Sequence, residues 1–133
     1  MPERFDAEIG GIIVKKTLTD LQEYVNEIAT AYNCRDAYRY IKDDKLVRKT
    51  YKQFAQDIFA VASWLVNRGW ERRHIAIIGS TSYEWVVTFL GIACSGNVVV
   101  PIDKMLTTDE MLGLLVMGDV DVVFISGEFA PMI

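Results

Sequence analysis

His74 to Asp103 reads HIAIIGSTSYEWVVTFLGIACSGNVVVPID, two β-branched apolar runs on either side of one long apolar stretch. His74 to Ile78 is short and bounded by Gly79, as a strand covered on both faces would be. Thr81 with Glu84 has capping-box spacing and predicts a helix that Gly96 closes. Val98 to Ile102 predicts the next strand. Downstream, Thr107 and Glu110 repeat the capping spacing, and Met111, Leu112, Leu114 and Leu115 supply an apolar face. Gly118-Asp119 ends that helix before a third strand at Val122 to Ile125. Strands that alternate with helical stretches predict parallel pairing with right-handed crossovers. The expected fold class is α/β, a parallel β-α-β-α-β unit of the doubly wound type over residues 74–126.

The same stretch invites a membrane reading, because Trp85 to Ile102 is eighteen residues without a charge. Gly96-Asn97 is a turn signal inside it, Pro101 breaks a helix, and Val98-Val99-Val100 favours a strand. Helix, turn and strand follow, not a spanning segment.

Upstream, Leu18, Leu21, Val25, Ile28, Ala29 and Tyr32 fall at helical spacing and predict an amphipathic helix from Thr17. Asp36 to Lys42 and Lys45 to Lys49 flank Asp43-Asp44 and predict a polar hairpin. Thr50 with Gln53 opens a second helix that ends near Gly69, its buried stripe being Tyr51, Phe54, Ala55, Ile58, Ala62 and Leu65. Residues 1–16 show no period and are expected to be an irregular segment.

At 133 residues, about half of them hydrophobic, the chain can form one core but hardly a second domain. Eighteen acidic against fourteen basic side chains give a formal charge of −4, and no basic cluster interleaves with aromatics, which argues against nucleic acid. Cys34 and Cys94 lie sixty positions apart, forming neither a disulfide framework nor half a zinc site, and read as reduced thiols of a cytoplasmic protein. The amino terminus lacks a signal peptide's order of charge and apolar run.

Chemistry is sparse. Gly79-Ser80-Thr81-Ser82 sits where α/β proteins bind phosphate, but it carries one glycine and no lysine, so a capped turn is the better account. Asp103 ends its strand at the ligand-binding edge, yet it also suits a plain turn. Asp109 and Glu110 complement a helix dipole, and Asp119 and Asp121 flank a turn, so neither pair resembles an acid/base dyad. His74, the sole histidine, stands at a strand start without a nucleophile beside it, and Cys94 reads as a small core residue. Trp64, Trp70 and Trp85 read as packing residues. No catalytic, cofactor-binding or metal-binding residue is assigned. The helix Tyr83 to Cys94 is apolar nearly all round, with only Glu84 and Thr88 to wet it, and three strands make a small sheet. Something beyond the chain is expected to complete the core.

The order of these segments resembles the start of the adenylate-forming (AMP-binding) superfamily: acyl-CoA synthetases, luciferases and peptide-synthetase adenylation domains. Lys49-Thr50-Tyr51-x-x-Phe54-Ala55 is similar to its opening Thr-Tyr-x-x-Leu/Phe motif, with Ala62, Leu65 and Gly69 at matching offsets. Ile75 to Ile78 followed by Ser82-Tyr83-Glu84-Trp85 is similar to its Asn-Ser-x-Glu-Trp segment. The most specific match is Ala93-x-x-Gly96-x-Val98-Val99-Val100-Pro101-Ile102-Asp103, then Thr107-x-x-Glu110-Met111. Arg72-Arg73 departs from the usual Gly-Asp, Thr81 stands for Asn, and Asn97 stands for a small residue.

The resemblance, closest to fatty acyl-CoA synthetases, implies that residues 1–133 are the N-terminal part of an AMP-binding domain. It implies a parent that activates a carboxylic (fatty) acid with Mg-ATP to an acyl-adenylate and passes the acyl group to coenzyme A. The family's phosphate loop, aromatic-Thr-Glu segment, ribose Asp and late catalytic Lys match no string here, so the chain is expected to be an inactive scaffold fragment holding no ATP, Mg2+ or coenzyme A. Its partners would be the rest of the parent chain and, through the apolar surface left open, a second copy of itself. The rival reading is a self-standing α/β regulatory or interaction module binding through the Gly79–Ser82 and Asp103 loops.

Overall fold

The computed structural model describes the backbone of residues 7–9 and 12–14, and residues 19–133. Against the expectation of an irregular segment over residues 1–16, β1 (Ala7–Ile9) and β2 (Ile12–Val14) pair antiparallel. Three-residue strands are too short to display a period.

Helix α1 (Leu21–Tyr32) begins where the Asp20 carboxylate accepts from the Glu23 N–H. Val25 and Ile28 are its buried residues, Leu21 is exposed, and the predicted start at Thr17 and Leu18 lies outside the described residues. Strands β3 (Asp36–Lys42) and β4 (Lys45–Thr50) form the predicted hairpin. Its two-residue loop, Asp43-Asp44, takes positive φ at both positions, 51° and 59°, the mirror-image turn whose twist suits a hairpin. Helix α2 (Tyr51–Asn67) carries the Thr50/Gln53 capping box and buries the predicted stripe, Tyr51 only partly.

The sheet consists of β5 (His74–Ile78), β6 (Val98–Ile102) and β7 (Val122–Ile125), parallel throughout, in the order β6-β5-β7. Helix α3 (Tyr83–Cys94) joins β5 to β6, and α4 (Thr108–Met117) joins β6 to β7. The first crossover runs from β5 out to β6 and the second runs back from β6 past β5 to β7, and these opposite directions put their helices on opposite faces. Packing agrees: Ile75 meets Leu65 of α2 and Ile92 of α3, whereas Ala76 and Ile78 meet Met111 of α4. A third cluster, Val25, Phe54, Ile58 and Val87 among its members, welds α1, α2 and α3 together. Helix α3 is covered as its composition demands, with Glu84 the one exposed residue along it.

Two expectations need correction. Helix α3 is capped by Ser82, whose hydroxyl accepts from the Trp85 N–H at 3.1 Å, and not by Thr81. Consecutive hydroxyl residues make that position ambiguous in sequence, and one residue of slip moves Glu84 out of the reciprocal place. In α4, Met111 is fully buried and Leu115 partly so, but Leu112 and Leu114 are 44% and 39% exposed. At 3.6 residues per turn the four side chains span about 160° of the helix, and only the narrower arc that carries Met111 and Leu115 is turned toward the sheet.

The Thr107/Glu110 capping box stands as predicted. Hydrogen bonds from the Thr107 N–H and hydroxyl, both 2.8 Å, hold the Glu110 carboxyl below its usual value of 4.5. Thr107→Ala is expected to lower the unfolding free energy by about 1 kcal/mol. A depressed glutamate adds stability above its unfolded value, lost as pH falls through the folded one. Glu110→Gln should therefore flatten the fall in urea midpoint below about pH 4.5; an unchanged slope would remove that role from the box.

Candidate functional site

In an open α/β sheet the ligand side is the carboxyl edge, at the point where successive crossovers diverge. Here that point lies between β5 and β7. A crevice of about 190 Å³ opens there, lined by Gly79, Ser80, Ser82, Trp85, Thr88 and Ser126 among others. Gly79 fits closely: a Cβ on it would lie 3.2 Å from the Ser126 hydroxyl, which would have to give by a few tenths of an ångström, so the bare glycine eases the approach of the loops after β5 and β7. A second crevice, about 230 Å³, lies on the β6 side of the same loop and includes Thr81, Pro101, Asp103 and Lys104.

Between the two crevices, three loops are tied by one hydroxyl. The Lys104 ammonium donates to Ser80 Oγ at 2.8 Å, and the Ser80 hydroxyl donates to the Glu128 carboxylate at 2.9 Å. Each residue follows a different strand: Ser80 after β5, Lys104 after β6 and Glu128 after β7. Lys104 and Glu128 are not singled out by sequence reasoning, because the bonds join positions 24 and 48 apart. Their shared signal is that each polar residue lies two or three positions beyond the end of a parallel strand.

The residues singled out in the sequence make the following structural contacts. Ser82 is a helix cap, and Asp103 Oδ1 accepts the Met105 N–H at 2.9 Å, closing its own turn. Asp121 accepts from the His74 N–H at 3.2 Å and lies 3.7 Å from the Arg73 guanidinium, at the opposite, amino-terminal edge. His74 also stays at that edge, its Nδ1–H donating to the Gly118 carbonyl at 2.6 Å. Cys94 is buried, and burial raises its thiol above the ordinary range, the reverse of an activated nucleophile. Trp85 stacks on Phe89 at 5.4 Å, and Trp64 meets Trp70 edge-on at 5.8 Å.

Away from the sheet edge, the Tyr83 hydroxyl donates to Asp57 at 2.6 Å, with the Lys49 ammonium 3.5 Å from the same carboxylate. Burial, then the bond to Asp57, drives the Tyr83 phenol far above its usual value, so it stays protonated and acts as a tether between α2 and α3. A hydrogen bond from its own backbone N–H, helped by Lys42 at 3.5 Å, holds the Glu84 carboxyl below the usual range.

Chemically, the carboxyl edge offers hydroxyls and one ammonium among carboxylates. Glu84 lines one crevice, Asp103 the other, and Glu128 lies between them. A triphosphate needs an excess of positive charge, so these residues do not fit the polyphosphate of ATP. Among the described residues no group of three His, Cys, Asp or Glu is placed to hold a metal ion, and no helix is long and apolar enough to cross a membrane. The edge is held as an ordered wall by the Lys104–Ser80–Glu128 bonds.

Known proteins show what such a wall belongs to. Residues 25–132 match the AMP-binding family, described as AMP-binding enzyme. The 4-hydroxybutyrate–CoA ligase 2 of Metallosphaera sedula is 33% identical over 81 residues, which is 56% of this chain and 15% of that protein. The solved N-terminal domain of FACL13 from Mycobacterium tuberculosis superposes with a TM-score of 0.77 at 26% identity, over 86% of this chain and 29% of that one. The fatty acyl CoA synthetase of Mycobacterium tuberculosis superposes with a TM-score of 0.76 at 26% identity, over 85% and 22%. The chain thus spans less than a third of each of these relatives. With the match running from α1 through β7, the chain belongs to the AMP-binding enzyme family.

Proposed function

We propose that residues 1–133 are the N-terminal scaffold of an ATP-dependent acyl-CoA synthetase. The parent would convert a carboxylic acid, a fatty acid by the closest motif likeness, and Mg-ATP to an acyl-adenylate and pyrophosphate. The acyl group would then pass to coenzyme A. The observation that carries this reading is the likeness to the FACL13 N-terminal domain across 86% of the chain. In this role the present residues perform no chemical step. Helices α1, α2 and α3 brace one face of the sheet, and the Lys104–Ser80–Glu128 bonds hold its carboxyl-edge loops in one arrangement for neighbours to pack upon. The parent would work in the cytoplasm.

The 133-residue chain is expected to catalyse no carboxylate-dependent exchange of labelled pyrophosphate into ATP, whereas the full-length gene product does so. Robust exchange by the short chain would overturn the scaffold reading. The short chain should also self-associate, since Val116 and Met117 of α4 are 81% and 84% exposed. A monomer by sedimentation velocity across a wide concentration range would count against that.

A further inference from the structure

The chain's charge is divided between the two sides of its sheet. Residues 35–52, which include the β3-β4 hairpin, hold seven of the fourteen Lys and Arg against three of the eighteen acids. Residues 105–133 hold five acids and no Lys or Arg. The hairpin lies on the α1-α2-α3 side, where Tyr38 and Tyr40 pack against the cluster of Phe54 and Tyr83, whereas α4 lies on the other side over Ala76 and Ile78. A basic and an acidic pole therefore face opposite ways.

The hairpin's outer face, turned away from Tyr38 and Tyr40, carries Arg39 and Ile41 on β3 and Leu46 and Arg48 on β4. Ile41 pairs with Leu46 across the strands, 68% and 53% exposed, and Arg39 pairs with Arg48. Like charges so opposed cost stability, and both guanidiniums reach the same carboxylate, Asp36, at 2.7 and 3.7 Å. Two cations against one anion leave this face positive beside its aliphatic pair.

Helix α4 offers the counterpart. At about 100° per residue, Asp109, Glu110, Gly113, Val116 and Met117 share the side turned away from the sheet, and all five are exposed. The carboxylates stand at one end and the aliphatic pair at the other, and a Cβ on Gly113 between them would meet nothing within 4 Å. From Asp109 to Val116 is roughly 10 Å along a helix, and from Arg39 to Ile41 roughly 7 Å along a strand. An arginine side chain is long enough to span the difference.

We propose that this side of α4 receives the outer face of the β3-β4 hairpin from a second copy of the chain, with Ile41 and Leu46 on Val116 and Met117, and Arg39 and Arg48 toward Asp109 and Glu110. Charge complementarity selects this occupant. Hairpin on hairpin would bring two positive faces together, and an anionic membrane would meet Asp43 and Asp44 at the hairpin's tip. Each copy gives one surface and receives on the other, so the contact is heterologous and propagates beyond a dimer. The inference rests on the self-association expected under the proposed function, and not on the synthetase assignment.

The test is sedimentation velocity of the 133-residue chain and of two double variants altered at exposed side chains. Ile41→Gln with Leu46→Gln spoils the hairpin face and leaves α4 intact, and Val116→Lys with Met117→Lys does the reverse. Each variant alone is expected to be monomeric where the unaltered chain forms species beyond the dimer, with urea midpoints near that of the unaltered chain. An equimolar mixture of the two is expected to form a dimer that grows no further. Association of the unaltered chain should weaken about tenfold between about 0.05 and 0.5 M sodium chloride. A variant that assembles as the unaltered chain does, a mixture that stays monomeric, or association indifferent to salt overturns the proposal. So does a monomeric unaltered chain, and if that monomer pellets with phosphatidylserine vesicles through Ile41 and Leu46, the hairpin belongs to a membrane instead. Pyrophosphate exchange by the full-length gene product is independent of all these outcomes, so the docking and the synthetase assignment fail separately.

Discussion

Gly91→Ala is expected to lower the unfolding free energy by about 2–3 kcal/mol, although alanine is the better helix former by about 1 kcal/mol. A Cβ at position 91 would lie 2.6 Å from both Cβ and Cγ1 of Val61, and 3.1 Å from the Ile58 carbonyl oxygen. Neither obstacle is the end of a flexible side chain: the first is a β-branched residue of α2 with a stiff χ1, the second is helix backbone. Helix α3 would have to back away from α2, loosening the contacts that Ile58 and Val87 make in their shared core. Urea unfolding should show the lower midpoint at an unchanged slope. Val61→Ala in the Gly91→Ala background should restore about half of the loss, because it removes the methyl groups in the way. A Gly91→Ala protein as stable as the parent would mean that the helices can separate freely, and the close crossing would lose its structural role.

The sheet and its helices were legible in sequence because period and punctuation agree there. Gly79, Gly96 and Gly118 sit at element ends, and the Thr50 and Thr107 capping boxes form where their spacing puts them. Legibility failed where neighbouring residues share a chemistry. Thr81 and Ser82 can each cap a helix, and the choice between them follows from how the β5 loop leaves the sheet. Leu112 and Leu114 are apolar like Met111 and Leu115, and only the orientation of α4 against Ala76 and Ile78 separates covered from exposed.

At the carboxyl edge the limit was different in kind. That Gly79 to Ser82 is a capped turn, and Asp103 a turn residue, followed from local chemistry. The Lys104–Ser80–Glu128 bonds did not, because they exist only once β6 and β7 flank β5. Strand order is a long-range property, and the alternation of strands and helices leaves it open. Three polar residues just past three strand ends become neighbours in the order β6-β5-β7, where the loop carrying Ser80 stands between the other two.

The departures from the family pattern at Arg72-Arg73 and at Asn97 turn out to be one feature. Asn97 Oδ1 accepts the Arg73 N–H at 2.9 Å, while its amide donates to the Trp70 carbonyl at 2.9 Å and to Ser95 Oγ at 2.7 Å. The Arg72 N–H donates to the Gly96 carbonyl at 3.1 Å, and Arg72 itself sits at φ 56°, a conformation easier for the glycine that the family usually places near it. The side chain that replaces a small residue thus supplies the bonds that hold the unusual turn entering β5. Asn97 is 8% exposed, so water cannot readily take over those bonds. Asn97→Ala is expected to lower the unfolding free energy by about 3 kcal/mol, since it strands one backbone donor and one backbone acceptor. Ser95→Ala should cost about 1 kcal/mol, because it touches only the third bond and the one from Ser95 to Ile92. Arg72→Gly should be neutral or stabilise by up to about 1 kcal/mol through relief of the positive φ. If Asn97→Ala matched the parent in urea midpoint, the network would be incidental and the two departures independent. If only Asn97→Ala falls, Asn97 is the residue through which this chain tolerates a non-glycine turn at the start of its central strand.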